Sequence, residues 1–138
     1  MIHQDSIEIA TQGRSTVEIT REVDRITRDS GISRGLCHLF IHHTSASLMV
    51  TENADRDVRI DLENYLSRLV RDGDPAYRHD QEGPDDMAAH IRSVLTQTEI
   101  SIPVQSGRLA LGTWQGLFVW EHRHHPHRRR LTVTVSGE

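Results

Sequence analysis

The sequence predicts an α+β fold, a largely antiparallel β-sheet sandwich packed with two main helices. Short stretches that alternate apolar and polar residues recur along the chain, as half-buried strands do. Two longer stretches repeat apolar residues at helical spacing. The connections between the predicted strands are too short to hold a helix at every crossover, which a parallel sheet would need. No Gly/Ser-rich linker divides the 138 residues, so we expect one domain over residues 1–138.

The first half of the chain is predicted to form strands around one short helix. Alternating residues indicate strands at 6–11 and 15–19, and the turn at 12–14 between them is typical of a hairpin. Apolar residues at helical spacing, followed by a glycine, predict a short amphipathic helix over 20–31. The apolar run that follows predicts a buried strand over 35–43, with the single cysteine of the chain, Cys37, in the core.

The second half contains the two main helices. Residues 58–69 show the clearest helical periodicity, and Asn53 or Asp55 is expected to cap this helix. A second helix is predicted over 86–95, with Asp85 as its cap. The remaining alternating stretches predict strands at 46–50, 99–104, 109–111, 117–119 and 131–135.

Composition narrows the classes of function and location. The chain has sixteen arginines and no lysine, which excludes a Schiff-base lysine and a P-loop. Its formal charge is −4, and no basic stripe occurs before residues 122–130, so nucleic acid is not an expected partner. Cys37 has no second cysteine with which to form a disulfide. Apolar runs are far shorter than the roughly 20 residues that cross a bilayer, and no secretory segment is evident, so we expect a cytoplasmic protein without a membrane partner.

Three of the ten histidines stand out from the pattern. His43 ends the buried strand, although alternation alone does not choose between it and His42. His79 lies in a polar loop, and His90 interrupts the apolar face of a predicted helix. One interpretation is that each is an ordinary hydrogen-bonded histidine. The other is a metal or anion site, because three protein ligands and one open position form the usual catalytic zinc arrangement.

Several motifs follow one another in fixed order from about residue 36 to the end of the chain. They include His43-Thr44-Ser45-Ala46, Glu52-Asn53-Ala54-Asp55, Tyr77-Arg78-His79, Glu82-Gly83-Pro84-Asp85-Asp86-Met87, Ala89-His90-Ile91 and Gly112-Thr113-Trp114-Gln115-Gly116. In this combination the chain resembles the YjbQ family of small uncharacterised proteins.

The resemblance implies a homotrimer with a polar pocket that holds a metal ion or an anion. It also implies the family's usual label, a secondary thiamine-phosphate synthase, which joins a pyrimidine methyl pyrophosphate to a thiazole phosphate. Position by position, it implies His43, His79 and His90 as metal ligands, with Asn53, Asp57 and Glu82 in the pocket. Three imidazoles suit a zinc-like divalent ion better than magnesium, which stays an alternative.

Handling phosphate requires cationic, hydroxyl and amide donors. We expect the following residues to bind substrate or anion: Thr44, Asn53, Arg59, Arg108, Trp114 and Gln115. Trp114 is equally well interpreted as a core anchor. Glu82, Asp57 and Ser45 are the candidate catalytic residues, and Glu82 has the alternative role of orienting a histidine. The His/Arg-rich segment 122–130 is interpreted as a solvated hairpin loop outside the site.

The leading hypothesis for function is a thiamine-phosphate synthase-like transferase acting on small phosphorylated metabolites. Three imidazole ligands favour water activation over pyrophosphate handling. A zinc-type hydrolase of a small polar substrate is therefore the first alternative. A non-enzymatic protein that binds a metal or a metabolite is the second.

Overall fold

Two antiparallel sheets and three helices form the protein, and the computed structural model describes all residues from 1 to 138. The predicted α+β class with antiparallel sheets is therefore confirmed. None of the helices is long and apolar enough to cross a membrane. In chain order the elements are β1 Ile2–Thr11, β2 Ser15–Glu18, α1 Thr20–Asp29, β3 Arg34–Ile41, β4 Ala46–Glu52, α2 Arg56–Leu69, α3 Asp86–Leu95, β5 Glu99–Gln105, β6 Arg108–Leu109, β7 Gln115–Glu121 and β8 His127–Gly137.

The strands divide into a five-stranded sheet, in the order β1-β8-β3-β5-β6, and a three-stranded sheet, in the order β2-β7-β4. The longest pairing joins the two ends of the chain, with β1 against β8 from Ile2 opposite Ser136 to Thr11 opposite His127. The amino group of Met1 also donates to the carbonyl of Gly137 at 2.8 Å. Because β8 lies between β1 and β3, the five-stranded sheet is complete only when the C-terminal strand is in place.

The three-stranded sheet separates two apolar clusters. Alternate residues of β7 face opposite sides, so Leu117 and Val119 join the large cluster while Phe118 and Trp120 join the small one. The large cluster lies between the sheets and includes the inner face of α1 and Cys37. Burial raises the pKa of the Cys37 thiol, in keeping with its predicted place in the core. The small cluster packs beneath α2 and α3.

The predicted hairpin between the first two strands is wrong. β1 pairs with β8, whereas β2 pairs with β7 in the other sheet, so the turn carries the chain from one sheet to the other. Gly13 adopts a φ of +108°, and a Cβ there would lie 2.5 Å from the carbonyl oxygen of His124. Both the left-handed backbone conformation and the close approach to a distant segment therefore require glycine at this turn.

The segment 122–130 is not the predicted solvated hairpin loop. It too crosses between sheets, because β7 and β8 belong to different ones. His122 is fully buried and Arg129 is 4% exposed, while the tip at residues 124–126, Arg128 and Arg130 are exposed. The buried carboxylate of Glu121 accepts hydrogen bonds from Arg129 and, at 2.6 Å, from the hydroxyl of Thr11. The buried Glu121 carboxylate therefore holds the end of β7 and the start of β8 beside the end of β1.

The two main helices have the predicted positions, but only one has the predicted cap. Asp55 caps α2 by accepting the backbone N–H of Asp57 at 2.9 Å. Asp85 occupies the position before α3 but makes no capping bond. Its carboxylate turns instead to Arg123 and to the N–H of His124, both at 2.9 Å. The predicted capping role of Asp85 is therefore wrong, because a charged partner from a distant segment competes for its side chain.

Arg92 of α3 links the helices to the three-stranded sheet. Its side chain is fully buried, and Nη2 donates to both carboxylate oxygens of Glu63 at 2.6 and 2.7 Å. Its Nε donates to Nδ1 of His122 at 3.0 Å. Glu63 also accepts the indole N–H of Trp120 at 3.0 Å. This network holds α2 and α3 to the sheet through polar contacts.

Arg92→Ala is expected to lower the free energy of unfolding by about 3–5 kcal/mol, because it leaves Glu63 without its cationic partner. Urea unfolding at neutral pH measures the change. Arg25→Ala, at an exposed arginine of α1, is the control and is expected to stay within about 0.5 kcal/mol of the unaltered protein. Equal effects of the two substitutions would show that the network adds nothing to stability.

Candidate functional site

His79, Asp86 and His90 meet at the start of α3. Asp86 is the first residue of the helix, His90 follows one turn later, and His79 comes from the preceding loop. One ligand atom of each lies within 4.8 Å of the others. The Oδ2 atom of Asp86 is 2.6 Å from Nε2 of His79 and 3.5 Å from Nε2 of His90. A single carboxylate oxygen thus lies beside two imidazole nitrogens.

The ring of His90 is oriented by the backbone. Its Nδ1 donates to the carbonyl oxygen of Thr44 at 3.1 Å, and a carbonyl can only accept. The neutral ring therefore carries its proton on Nδ1 and presents the Nε2 lone pair to Asp86. A lone pair that faces a carboxylate is repelled unless a proton or a cation lies between them. Metal-binding histidines commonly have such a second hydrogen bond to a carbonyl.

Arg123 orients the acidic side of the cluster. Its Nη1 donates to Oδ1 of Asp86 at 2.8 Å, its Nε to Asp85 at 2.9 Å, and its Nη2 to the carbonyl oxygen of Glu82 at 2.8 Å. Asp86 is only 3% exposed, and burial alone would raise its pKa. The hydrogen bond from His79 and the charge of Arg123 outweigh burial and hold the pKa of Asp86 below its ordinary value.

Asp85 is charged for similar reasons. Burial acts to raise its pKa, but the backbone N–H of His124 and the Arg123 guanidinium lower the pKa of Asp85 to about 2. Sequence reasoning missed Arg123 because it left segment 122–130 outside the site. The sequence held one indirect indication of Arg123. Three acidic residues lie between positions 82 and 86, which is more than helix capping requires, and such a cluster is stabilised by a positively charged partner.

His43 lies outside this cluster. β3 ends at Ile41, two residues earlier than predicted, so His43 follows the strand and lines a separate cavity with Ser45 and Arg129. Its Nε2 accepts the backbone N–H of Arg130 at 2.8 Å. Burial and the neighbouring Arg129 charge lower the pKa of His43, which favours the neutral ring. Within this chain the structure thus brings together two of the three predicted histidines and adds Asp86.

Of the three predicted catalytic residues, only Glu82 reaches the cluster. Its carboxylate lies 3.4 Å from Nε2 of His79 and is largely exposed. The hydroxyl of Ser45 instead accepts a hydrogen bond from Arg129 at 3.0 Å in the His43 cavity. Asp57 is exposed in the first turn of α2 and does not belong to the cluster.

Of the predicted substrate and anion ligands, only Thr44 reaches the histidine cluster. Four others lie near one another where β4 ends and β7 begins, since Gln115 pairs with Glu52, Arg59 donates to the carbonyl of Glu52, and the N–H of Asn53 donates to the carbonyl of Trp114. Thr44 touches the cluster through its carbonyl. Arg108 pairs with Asp24 of α1 at 2.8 Å. Trp114 is 63% exposed, which rules out the core-anchor interpretation. In this second group the side chain of Asn53 also donates to Glu18, and that of Gln115 accepts the N–H of Gly112.

Ser47 and His122 form a buried pair that no sequence motif indicated. Their side chains have the spacing of a nucleophile and its base. Nε2 of His122 lies 2.8 Å from the hydroxyl of Ser47. Arg92 donates to Nδ1, however, so Nε2 carries the ring proton and donates to Ser47. Burial and the Arg92 charge lower the pKa of His122 to about 2. The ring cannot accept the serine proton, and the pair is structural.

Comparison with known proteins places these features in a family context. The family model described as "UPF0047 protein YjbQ-like" matches residues 5–138. UPF0047 protein sll1880 of Synechocystis is 52% identical over 136 residues, which are 99% of this chain and 92% of that protein. UPF0047 protein YjbQ of Salmonella typhimurium is 42% identical and covers 100% of both chains.

Solved structures agree with the sequence relatives. A YbjQ-like protein of unknown function from Sulfolobus solfataricus superposes with a TM-score of 0.91 at 27% identity, covering 100% of this chain and 99% of that one. A conserved hypothetical protein from Thermus thermophilus gives 0.85 at 34% identity, over 96% and 99% of the two chains. The resemblance noted in the sequence is confirmed. These relatives are named without an activity, so a functional proposal has to come from the site.

Asp85→Asn is expected to lower the free energy of unfolding by about 1–3 kcal/mol at neutral pH, because Arg123 loses a charged acceptor. The pKa of Asp85 is depressed in the folded protein from 3.8 to about 2, so its contribution is complete above about pH 4 and disappears as the pH falls toward 2. The difference between the two proteins should therefore shrink over that range. Urea unfolding at stepped pH measures it.

Asp80→Asn, at an exposed carboxylate of the same loop, is the control and should leave stability nearly unchanged at every pH. A difference for Asp85→Asn that stays constant down to pH 2 would contradict the role assigned to this ion pair.

Proposed function

The protein belongs to the UPF0047 (YjbQ-like) family, and we propose that it is a metal-dependent hydrolase of a small polar substrate. The proposal rests on one observation, the carboxylate oxygen of Asp86 beside the Nε2 atoms of His79 and His90. Each of these groups is a good ligand for a divalent ion, and they come from one helix and the loop before it.

The donor set fits a catalytic zinc ion. Two imidazoles and one carboxylate form one of the established three-ligand sets that leave a position open to water or substrate. Magnesium prefers oxygen ligands and is less well matched, whereas Fe(II) accepts the same set as zinc. The hydrogen bonds from His90 to Thr44 and from Arg123 to Asp86 are the outer contacts that hold such ligands in position.

The chain's own residues account for the remaining roles. When bound, an ion of this kind lowers the pKa of a coordinated water and polarises a substrate oxygen. Asp86 supplies negative charge to the site, and Arg123 keeps its carboxylate from rotating. Glu82 is the proposed general base, because its exposed carboxylate lies 3.4 Å from His79 and is free to take a proton from an incoming water.

Local charge favours hydrolysis over the thiamine-phosphate synthase reaction. A synthase has to stabilise departing pyrophosphate. Here the cluster contains the carboxylate of Asp86, Glu82 and Asp85 lie next to it in the chain, and the three hydrogen bonds of Arg123 already go to these residues. The site therefore suits a substrate of low negative charge. The synthase activity and the homotrimer stay predictions from the resemblance, and the cytoplasmic location stays a prediction from the sequence pattern.

The ligand set can be tested by zinc binding. We expect about one zinc ion per chain, and we expect Asp86→Asn and His90→Ala to weaken binding at least about tenfold. Titration calorimetry and elemental analysis, which also detects iron, measure affinity and content. His125→Ala removes an exposed histidine of the 124–126 tip and is the matched control. His43→Ala should also leave affinity unchanged, and a loss equal to that of His90→Ala would return His43 to the ligand set.

The reaction can be tested with a panel of esters, amides and phosphate esters. We expect zinc-dependent hydrolysis of at least one, with Glu82→Gln lowering kcat by at least about 100-fold while zinc affinity is retained. Asp80→Asn is the control for loss of a nearby charge. Formation of thiamine phosphate from its two precursors, abolished by His90→Ala, would support the synthase instead. Zinc binding without turnover of any substrate would support the non-enzymatic alternative.

A further inference from the structure

A cavity of about 480 Å³ lies between β2 and α2, and it shares no residue with the histidine cluster. Three arginines line it, Arg14, Arg56 and Arg59, with Glu63 and Asn64 beside them. Only one of its eight lining residues is apolar. The cavity is thus polar and rich in positive charge, in contrast to the acidic surroundings of His79 and His90.

Two of the charged groups in this cavity are already neutralised. Arg14 donates to both carboxylate oxygens of Asp72, at 2.9 and 2.7 Å, and to the carbonyl of His122 at 2.7 Å. Glu63, the single acid in the lining, has both oxygens bound by Arg92. These pairs contribute little net charge to the cavity.

The charges of the other two arginines are not balanced by an ion pair. No carboxylate oxygen lies within 4.0 Å of the guanidinium of Arg56 or Arg59. Arg59 is nevertheless held in place, because Nη1 donates to the carbonyl of Glu52 at 3.0 Å and the guanidinium lies 4.9 Å from the centre of the Phe118 ring. A cation held in one orientation loses less conformational entropy when it binds an anion.

We propose that this cavity binds the phosphate group of a small phosphorylated metabolite. Planar guanidinium groups bind phosphate oxygens in pairs, and Arg56 and Arg59 have N–H groups free to do so. The amide of Asn64 and the hydroxyl of Thr16 make no hydrogen bond within the protein and are available to the rest of the ligand. The volume exceeds that of a phosphate ion and falls in the range of small-molecule sites.

The other arginine-rich surface is less suitable. It is formed by α1 and β6, where Arg28 and Arg108 both pair with Asp24. Arg25 is exposed there and is held by no hydrogen bond. Pre-organisation therefore favours the cavity at Arg59, and Arg25 is a charge-matched control for it.

The test uses the whole chain after dialysis against EDTA. Titration calorimetry measures the binding of three probes, which are ribose 5-phosphate, ribose and inorganic phosphate. We expect ribose 5-phosphate to bind at about one per chain and ribose not to bind. Arg59→Gln should weaken the binding at least about tenfold, and Arg25→Gln should leave it unchanged. Tighter binding of ribose 5-phosphate than of inorganic phosphate identifies a phosphate monoester as the ligand, whereas equal affinity identifies free phosphate.

Because Arg59 also packs on Phe118, a second variant guards against loss of folding. Asn64 is exposed, so Asn64→Asp should leave the fold intact while its added charge weakens phosphate binding. The proposal is overturned if no phosphate probe binds at millimolar concentration, or if Arg25→Gln weakens binding as much as Arg59→Gln. It is also overturned if only metal-loaded protein binds and Asp86→Asn abolishes that binding, which would place phosphate at the histidine cluster. Failure of the phosphate proposal would not refute the proposed zinc site, because zinc binding at His90 is measured in a separate experiment.

Discussion

The buried ion pair between Glu121 and Arg129 is the contact on which the rest of the structure depends. A buried carboxylate without a partner costs several kcal/mol, so Glu121 can lie inside only when Arg129 and the hydroxyl of Thr11 reach it. Burial acts to raise the pKa of Glu121, but these partners hold the pKa below its usual value, so the group stays ionised. The pair joins β1, β7 and β8 where the chain crosses between sheets.

The candidate site is built on the same crossover. Glu121 accepts the backbone N–H of Arg123 at 3.1 Å, which fixes the residue whose side chain then holds Asp85 and Asp86. The start of α3, with His90 one turn further on, is thereby tied to the end of β7. A cluster that combines two imidazoles with a carboxylate needs this support, because an unheld Asp86 would be free to rotate away from the rings.

Carboxylates predominate at one candidate site, and arginines without an ion-pair partner lie at another. Carboxylates gather around His79 and His90, whereas Arg56 and Arg59 lie in a cavity that shares no residue with them. A positively charged ion is attracted to the first region and a phosphate group to the second. The phosphorylated partner expected from the resemblance and the zinc-like ion expected from the histidines thus have suitable surroundings at different places on the molecule.

The sequence by itself determined the α+β class, the positions of α2 and α3, the burial of Cys37, and the family. Periodicity and motif order carry that information because residues close in the chain decide them. Only the tertiary structure decided that both predicted hairpins are crossovers, that Asp86 joins His79 and His90, and that Arg123 supports them. Strand partners and buried ion pairs depend on residues far apart in the chain, such as Asp86 and Arg123, which are 37 positions apart, and no local pattern encodes which distant charge a carboxylate meets.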